Sequence, residues 1–517
     1  MKKTLKVTLC LLLVAMMLFS GCTKPSKDTT EQAIAETGAK KDSLVFSISS
    51  EPTSLDPAMT KDTITYLVGF QIFDTLFREE PDGTIAPALA EEYEFSENGL
   101  ELTMKIREGV KFHNGDVMTA DDVEYSINRA IASSYTSAFT STMDRMEKVD
   151  DTHVKLIMKE PYAAVLSCLC SANLGIVNKA AAEAAGDDFT KEPIGTGAYK
   201  FVSWSTGEKI EMERFDEYWR GTPAIKNLTF KIHTDKSTAA IALEKGEVDV
   251  LYYPSTSDRM NLMNLDNVTW KEGQAATLFY VAFNCRDGVF ANEKLRKAVC
   301  YALDRDSVVL GGADGLGIPT ESAIPMNTGY YDANFKGYEH DTEKAKALMK
   351  EAGYPNGLTV TMKTNQSSTY SKPTEVIQAQ LAEIGIDVKI ELMERAAYLE
   401  STQTDCDYEM TFYVITNNIS DPDYIMTRRF HTKMEGGGNN FTLHSIAGMD
   451  ALIDQARGET DKAKRQALYD QINQLIYENA VICPMYQGMT YIAYNSNLEG
   501  VYTSPAERHY VCEYSWK

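Results

Sequence analysis

Apolar positions along this chain follow two rhythms, one near 3.6 residues and one of two, and their alternation predicts a mixed α/β protein. Residues 44–48, LVFSI, read as the first strand after a polar stretch. Residues 62–77 have helical spacing, and Pro81-Asp82-Gly83 marks a turn. Residues 100–106 alternate as a strand, and Asn114-Gly115 is a hairpin signal. Thr119 and Asp122 form a capping box that opens a helix running to Arg129. Residues 199–204 and 209–214 read as a two-stranded meander. Residues 237–251 read as helix, stop at Gly246, then strand. Helices are expected over 292–303, 342–352, 449–457 and 461–479, with a Gly/Pro-rich loop over 311–325. Residues 358–363, 373–384 and 386–392 form a strand, helix, strand unit, expected to be a right-handed parallel crossover. Residues 486–494 are the final strand. Two long mixed segments divide near Phe283, and a late strand returns after the last long helix. That order suggests two lobes joined by more than one crossing of the chain.

Before the folded body lies a different pattern. Lys2, Lys3 and Lys6 precede an apolar run of 13 residues, 7–19, and then Ser20, Gly21 and Cys22. A basic start, a short apolar core and small residues define a secretion signal. Thirteen helical residues span about 20 Å, short of the roughly 30 Å hydrocarbon core of a bilayer. Leu18-Phe19-Ser20-Gly21-Cys22 resembles a bacterial lipobox, with Phe19 where Leu is usual, so Cys22 is expected to be lipidated and to become the mature N-terminus. Residues 23–43 are mostly polar and lack aromatic side chains, a composition that cannot offset its ordering entropy. They are expected to act as a leash.

The chain has 517 residues and a formal net charge of −23, which loss of the three leader lysines makes more negative. Such a surface repels phosphate backbones and anionic lipid, so neither nucleic acid nor electrostatic membrane adhesion is expected. Beyond the leader no apolar stretch reaches the length of a second membrane span. Of nine cysteines, Cys10 leaves with the leader and Cys22 carries lipid. Cys168, Cys170, Cys285, Cys300, Cys406, Cys483 and Cys512 remain, an odd number scattered through mainly apolar surroundings as small core residues. On a strand, Cys168 and Cys170 would share a face and could attract metal, but no histidine lies nearby. The seven histidines show no pair spaced four apart, so no metal site and no cofactor are expected.

The most recognisable stretch is residues 70–129, FQIFDTLFREEPDGTIAPALAEEYEFSENGLELTMKIREGVKFHNGDVMTADDVEYSINR. It continues in PIGTGAYKFVSW (193–204), ERFDEYWRGTPAIKNLTFKI (213–232), ALEKGEVDV (242–250) and FNCRDGVFANEKLRKAVCYALDRDSVV (283–309). Residues 341–362, 377–390 and 450–476 complete the series in order. These motifs resemble the family 5 extracellular solute-binding proteins, the dipeptide, oligopeptide, nickel and glutathione receptors of ABC importers. Tyr93 stands where that family usually has Trp. The resemblance implies an α/β fold of the type II periplasmic-binding-protein kind, a two-lobed clamp with an extra small α+β domain. On that pattern residues 44–77, 192–283 and 489–517 form one lobe, 78–191 the small domain attached to it, and 284–488 the second lobe. Residues 1–21 are the leader and 22–43 the linker. Gly109, Gly115, Gly195 and Gly197 are expected at turns, and Phe112, Trp204 and Trp219 in the core.

Ligand contacts are expected where the lobes face each other, and residues 412–424, FYVITNNISDPDY, are the most informative stretch. In peptide-binding relatives an acidic residue three positions before Asp-Pro holds the α-ammonium of the peptide; that position here is Asn418, before Asp421-Pro422. An amide lacks the charge, which weakens amine recognition there. Asp421 or Asp423 could substitute, although Asp before Pro is more often a turn former, and Thr416 and Asn417 adjoin them. Thr402 and Phe412 stand where oligopeptide receptors place basic residues. Arg428 and Arg429 could meet a carboxylate, although neighbours on a helix point to different faces, so one of the two should reach the cleft. Ser50 and Glu51 of an early loop, Tyr135 and Phe139 of the small domain, Asn284, Tyr486 and Gln487 complete the candidates. Aromatic and amide groups suit a wet, tolerant pocket.

No Gly-x-Ser-x-Gly, His-Glu-x-x-His, P-loop or Gly-x-Gly-x-x-Gly motif is present. The expected function is a monomeric, lipid-anchored receptor on the outer face of the cytoplasmic membrane. It would deliver a small solute, a peptide first, to ABC permease subunits and through them to ATPases. Glutathione-like compounds, metal chelates or saccharides are the alternative solutes. A surface sensor and a surface peptidase are the alternatives of another class.

Overall fold

In a computed structural model, residues 41–517 are described except 418, 437 and 438. The leader, the lipobox cysteine Cys22 and Asn418 therefore lie outside the described residues. One eleven-stranded sheet organises the molecule. From one edge its strands run Ile386–Met393, Leu358–Asn365, Met410–Thr416, Val268–Phe283, Ile482–Asn495, Val250–Tyr252, Ser43–Ile48, Asn227–Ile232, Lys209–Arg214 and Tyr199–Ser205, with Gly317–Pro319 alongside Ile482–Asn495. Two long antiparallel strands, Val268–Phe283 and Ile482–Asn495, occupy its middle. Met410–Thr416 pairs with one end of the first, over Thr277 to Phe283. Val250–Tyr252 pairs with the far end of the second, over Ile492 to Tyr494. The two halves of the sheet are thus joined through two crossings, each half with its own buried core.

The second half follows from its sequence rhythm. Leu358–Asn365 and Ile386–Met393 are parallel, joined by helix Ser368–Ala382, as the strand, helix, strand reading requires. That helix starts before Pro373 rather than at it. Gly312 makes room, since a Cβ there would lie 2.6 Å from Pro373 Cα. In the other half, Ser43–Ile48 lies parallel between Asn227–Ile232 and Val250–Tyr252.

A separate four-stranded antiparallel sheet has the order Ala90–Phe95, Glu101–Ile106, His153–Met158, Met143–Lys148. Alternate residues of Glu101–Ile106 are buried, as period-two spacing predicts. They pack with Val123, Ile127 and Ala130 of helix Ala120–Ala132 in a third core. Asp122 Oδ2 accepts from the Thr119 N–H at 2.9 Å, which closes the expected capping box.

The signature motifs meet at one buried carboxylate. Asp74, from FDTL, accepts from Trp219 Nε1 at 2.8 Å, the Tyr218 hydroxyl at 2.9 Å and Thr196 Oγ1 at 3.0 Å. Burial pushes the Asp74 carboxyl up, against the pull of these three donors. This junction also corrects the first helix, which spans Thr63–Ile72 rather than 62–77. The Gly197 N–H caps the Ile72 carbonyl at 2.9 Å, and the following chain extends towards strand Phe77–Glu79. Gly195 and Gly197 are needed for this close approach, because a Cβ would stand 2.1 Å from Ile72 O and 2.5 Å from Gln71 O respectively. Phe112 is fully buried, whereas Trp204 and Trp219 are half-buried.

Cys168 and Cys170 are not on a strand. Val165–Cys168 is a helical turn, and the two thiols sit in different surroundings, Cys168 near Tyr162 and Cys170 beside Arg508. Burial pushes the Cys170 thiol up to about 12, as expected of an inert core residue. Among the described residues the cysteines are free, no group of three His, Cys, Asp or Glu could hold a metal, and no helix is long and apolar enough to cross a membrane.

Candidate functional site

The two long central strands do not pair evenly. Their register shifts between Gln274 and Leu278, at the passage from one half of the sheet to the other. A bulge leaves backbone groups unpaired, and these must find partners. Gln487 Nε2 donates to the Ala275 carbonyl. The Asn417 N–H donates to the Ala276 carbonyl at 2.6 Å, and the Ala276 N–H to Pro505 O at 3.1 Å. Elements from three distant parts of the chain therefore converge on Ala275–Thr277.

Two cavities open around this point. One of about 570 Å³ is lined by Lys61, Tyr66 and Phe70, by Tyr135, Phe139 and Ser171 of the small-sheet region, by the 505–508 loop, and by Thr416, Asn417, Tyr424 and Arg428. The other, of about 680 Å³, lies against the second half, with Tyr370, Arg395, Tyr413, Arg429 and Tyr486 in its wall. Both share Tyr253, Thr277, Thr416, Tyr424 and Arg428, so they are two arms of one cleft. Each volume falls within the roughly 300–1,000 Å³ usual for small-molecule sites.

Of the sequence candidates, Tyr135, Phe139, Thr416, Asn417, Arg428 and Tyr486 come together in this cleft. Tyr486 stacks on Phe279, ring centroids 4.5 Å apart, and forms the floor of the larger arm. Arg428 lies 5.1 Å from the Tyr424 ring and has no carboxylate at ion-pair distance among the described residues. Arg429 also reaches the larger arm, so both arginines line it. Its guanidinium, however, donates to Asn439 O at 2.7 Å and the Tyr413 hydroxyl at 3.2 Å.

The remaining candidates have other partners. Ser50 is exposed and outside both arms. Glu51 accepts from Trp204 Nε1 at 2.7 Å and the Gly207 N–H at 2.9 Å, tying a loop to the edge of the sheet. Asn284 is buried, accepting from the N–H groups of Arg286 and Asp287 while its amide donates to Cys406 O. Gln487 is buried under the bulge it caps.

Asp421 is the clearest correction. Arg465 grips it with both terminal nitrogens, one at 2.9 Å, and the Asp423 N–H and Tyr469 hydroxyl fill the rest of its shell. A carboxylate so occupied does not serve as a cation anchor. Asp423 is buried as well, accepting from Thr427 Oγ1 at 2.8 Å with Arg457 Nε 3.8 Å away. Sequence reasoning missed Tyr253, Arg395 and Glu507, which enter the cleft from elements without a motif, and passed over Tyr424 at the end of the 412–424 stretch.

A family model described as bacterial extracellular solute-binding proteins, family 5 middle, matches residues 84–436. The chain belongs to this family. It is 28% identical over 477 residues to the glutathione-binding protein GsiB of Pectobacterium atrosepticum, covering 90% of this chain and 92% of that one. In three dimensions it is similar to HbpA2 of Haemophilus parasuis, with a TM-score of 0.85, 27% identity and coverage of 92% of this chain and 100% of the other. It is also similar to DppA of Helicobacter pylori, solved with the peptide STSA, with a TM-score of 0.73, 27% identity and coverage of 92% and 99%. The fold is therefore the type II periplasmic-binding-protein clamp, and the chain is a solute-binding receptor of the kind that serves ABC importers. GsiB and DppA are binding proteins.

Proposed function

We propose that this receptor is anchored by lipid on Cys22 and delivers peptides or peptide-like zwitterions such as glutathione to its permease. The observation that carries the solute class is the cleft itself: tyrosines and amide groups around Arg428, which has no carboxylate partner among the described residues, at the junction of two arms. Tyrosine rings and ordered water tolerate varied side chains, while a guanidinium offers a two-pronged seat for a carboxylate. The glutathione-binding and peptide-bound relatives bind molecules with these features. Residues 44–77, 192–283 and 489–517 make one jaw, 78–191 its small attached domain, and 284–488 the other jaw. The bulge at Ala275–Thr277 lies where the jaws would flex. A solute touching both jaws shifts the open–closed balance by binding the closed form better.

Mass spectrometry of solute released from the purified protein tests the reading. Unmodified short peptides or glutathione-like thiols are expected; a saccharide or a metal chelate would replace the peptide class. The anchor is tested separately. Cys22→Ser should move the protein from the detergent-extracted membrane fraction to the soluble one, and continued need for detergent would contradict lipidation.

A further inference from the structure

The peptide-like reading leaves open where a solute ammonium would sit, since position 418 is an amide and Asp421 and Asp423 are occupied. Carboxylates in the cleft wall are few. In the larger arm Asp314 lines the cavity, but Lys372 holds it at 3.0 Å. In the smaller arm, among the described residues, the one lining carboxylate is Glu507, on the loop 505–508 near the C-terminus. Its Oε2 accepts from the Tyr252 hydroxyl at 2.6 Å, and no cation pairs with it among the described residues. The neighbouring Arg508 is spoken for, at 2.6 Å from Glu79. Glu507 also adopts φ 58°, a left-handed conformation that disfavours a side chain and suits glycine. Burial pushes its carboxyl up, against the Tyr252 hydrogen bond. The same arm carries the converse group, Arg428 on helix Asp423–Phe430.

Resting on the peptide-like reading, we propose that Glu507 is the ammonium seat of this receptor and Arg428 its carboxylate seat. The two groups belong to opposite sides of the cleft: the 505–508 loop adjoins the first half of the sheet through Tyr252, and Arg428 follows strand Met410–Thr416 of the second. A solute with opposite charges at its ends satisfies both at once and draws the sides together. A solute with one charge leaves the other seat desolvated and unpaired, which a buried charge tolerates poorly. The proposed amine site is thus on the C-terminal loop rather than at position 418.

The experiment uses the full-length protein, stripped of carried-over solute by unfolding and refolding, and three tetra-alanine probes: free ends, N-acetylated, and C-amidated. Calorimetry should show at least a tenfold loss of affinity on acetylation and on amidation, the size expected for losing a charge-assisted bond. In Glu507→Gln, whose amide oxygen still accepts from Tyr252, the free-ended probe should fall to the affinity of the acetylated one. Glu507→Asp should retain discrimination, and Arg428→Gln should erase only the penalty for amidation. Unchanged melting curves exclude misfolding as the cause. Equal binding of free and acetylated probes by the parent, or persistent discrimination in Glu507→Gln, overturns the assignment and leaves peptide binding intact. Absence of binding by all three probes overturns the peptide reading and the assignment with it.

Discussion

Replacing Asp421 with alanine is expected to destabilise the protein by about 3–5 kcal/mol, because it strands a buried guanidinium. Arg465 is 2% exposed, and among the described residues its charge is met by Asp421 alone. Its Nε donates to Ala456 O at 2.7 Å, one terminal nitrogen donates to the Tyr469 hydroxyl at 2.9 Å, and Tyr330 and Tyr469 flank it. None of these replaces the lost carboxylate. Replacing both partners, as in Asp421→Ala with Arg465→Met, should cost much less than the sum of the single changes, since no unpaired charge remains. Denaturant unfolding of the solute-free protein measures this. A single-variant cost below about 1 kcal/mol would mean that solvent already screens the pair. The effect should reach function too, because this pair holds the turn between Asn417 and helix Asp423–Phe430, from which Tyr424 and Arg428 enter the cleft.

Mild acid is the second large effect. His113, His444 and His509 are buried, and burial lowers each imidazole to about 4. Their contacts fix neutral rings. His113 Nε2 donates to Gly197 O at 3.0 Å while Nδ1 accepts from the Gly195 N–H at 3.4 Å. His444 Nε2 donates to Phe430 O at 3.0 Å. His509 packs among Phe46, Tyr252 and Tyr502. In the unfolded chain histidines take up protons near pH 6.5, but in the fold these three do so only near 4. Between those values the unfolded state binds more protons, so stability falls as pH is lowered through the window. Each group contributes on the order of 3 kcal/mol when its shift is fully expressed. Melting temperature should therefore drop steeply from pH 6.5 to 4, and His444→Gln should flatten the slope. A profile level across this window would show the imidazoles to be accessible.

Much of the fold was legible in the sequence because its signals are local. The capping box of Thr119 and Asp122 spans three residues. The parallel crossover of 358–393 carries its rhythm within one segment. The family signature was legible for a different reason, since FDTL, GTG and EYW each send a group to the Asp74 junction. The cleft was legible only in part. Arg428 and Thr416 lie in or just after the 412–424 stretch and Tyr486 on the expected final strand, and they line the cavities. Asp421 misled because its partner is 44 residues away, and Gln487 because the carbonyl it caps is 212 away. Nothing in the local sequence distinguishes a carboxylate aimed at a ligand from one held by a buried arginine. Glu507 was missed for the same reason, as the loop enters the cleft from the far end of the chain.

The central claim is that two jaws close on an unaltered solute. Small-angle scattering on the stripped protein, before and after saturation with the solute recovered from the purified protein, tests it most directly. A smaller radius of gyration in the loaded form, with the solute recovered chemically unchanged, is the predicted result. Superimposable curves at proven saturation, or a converted solute, would contradict the account.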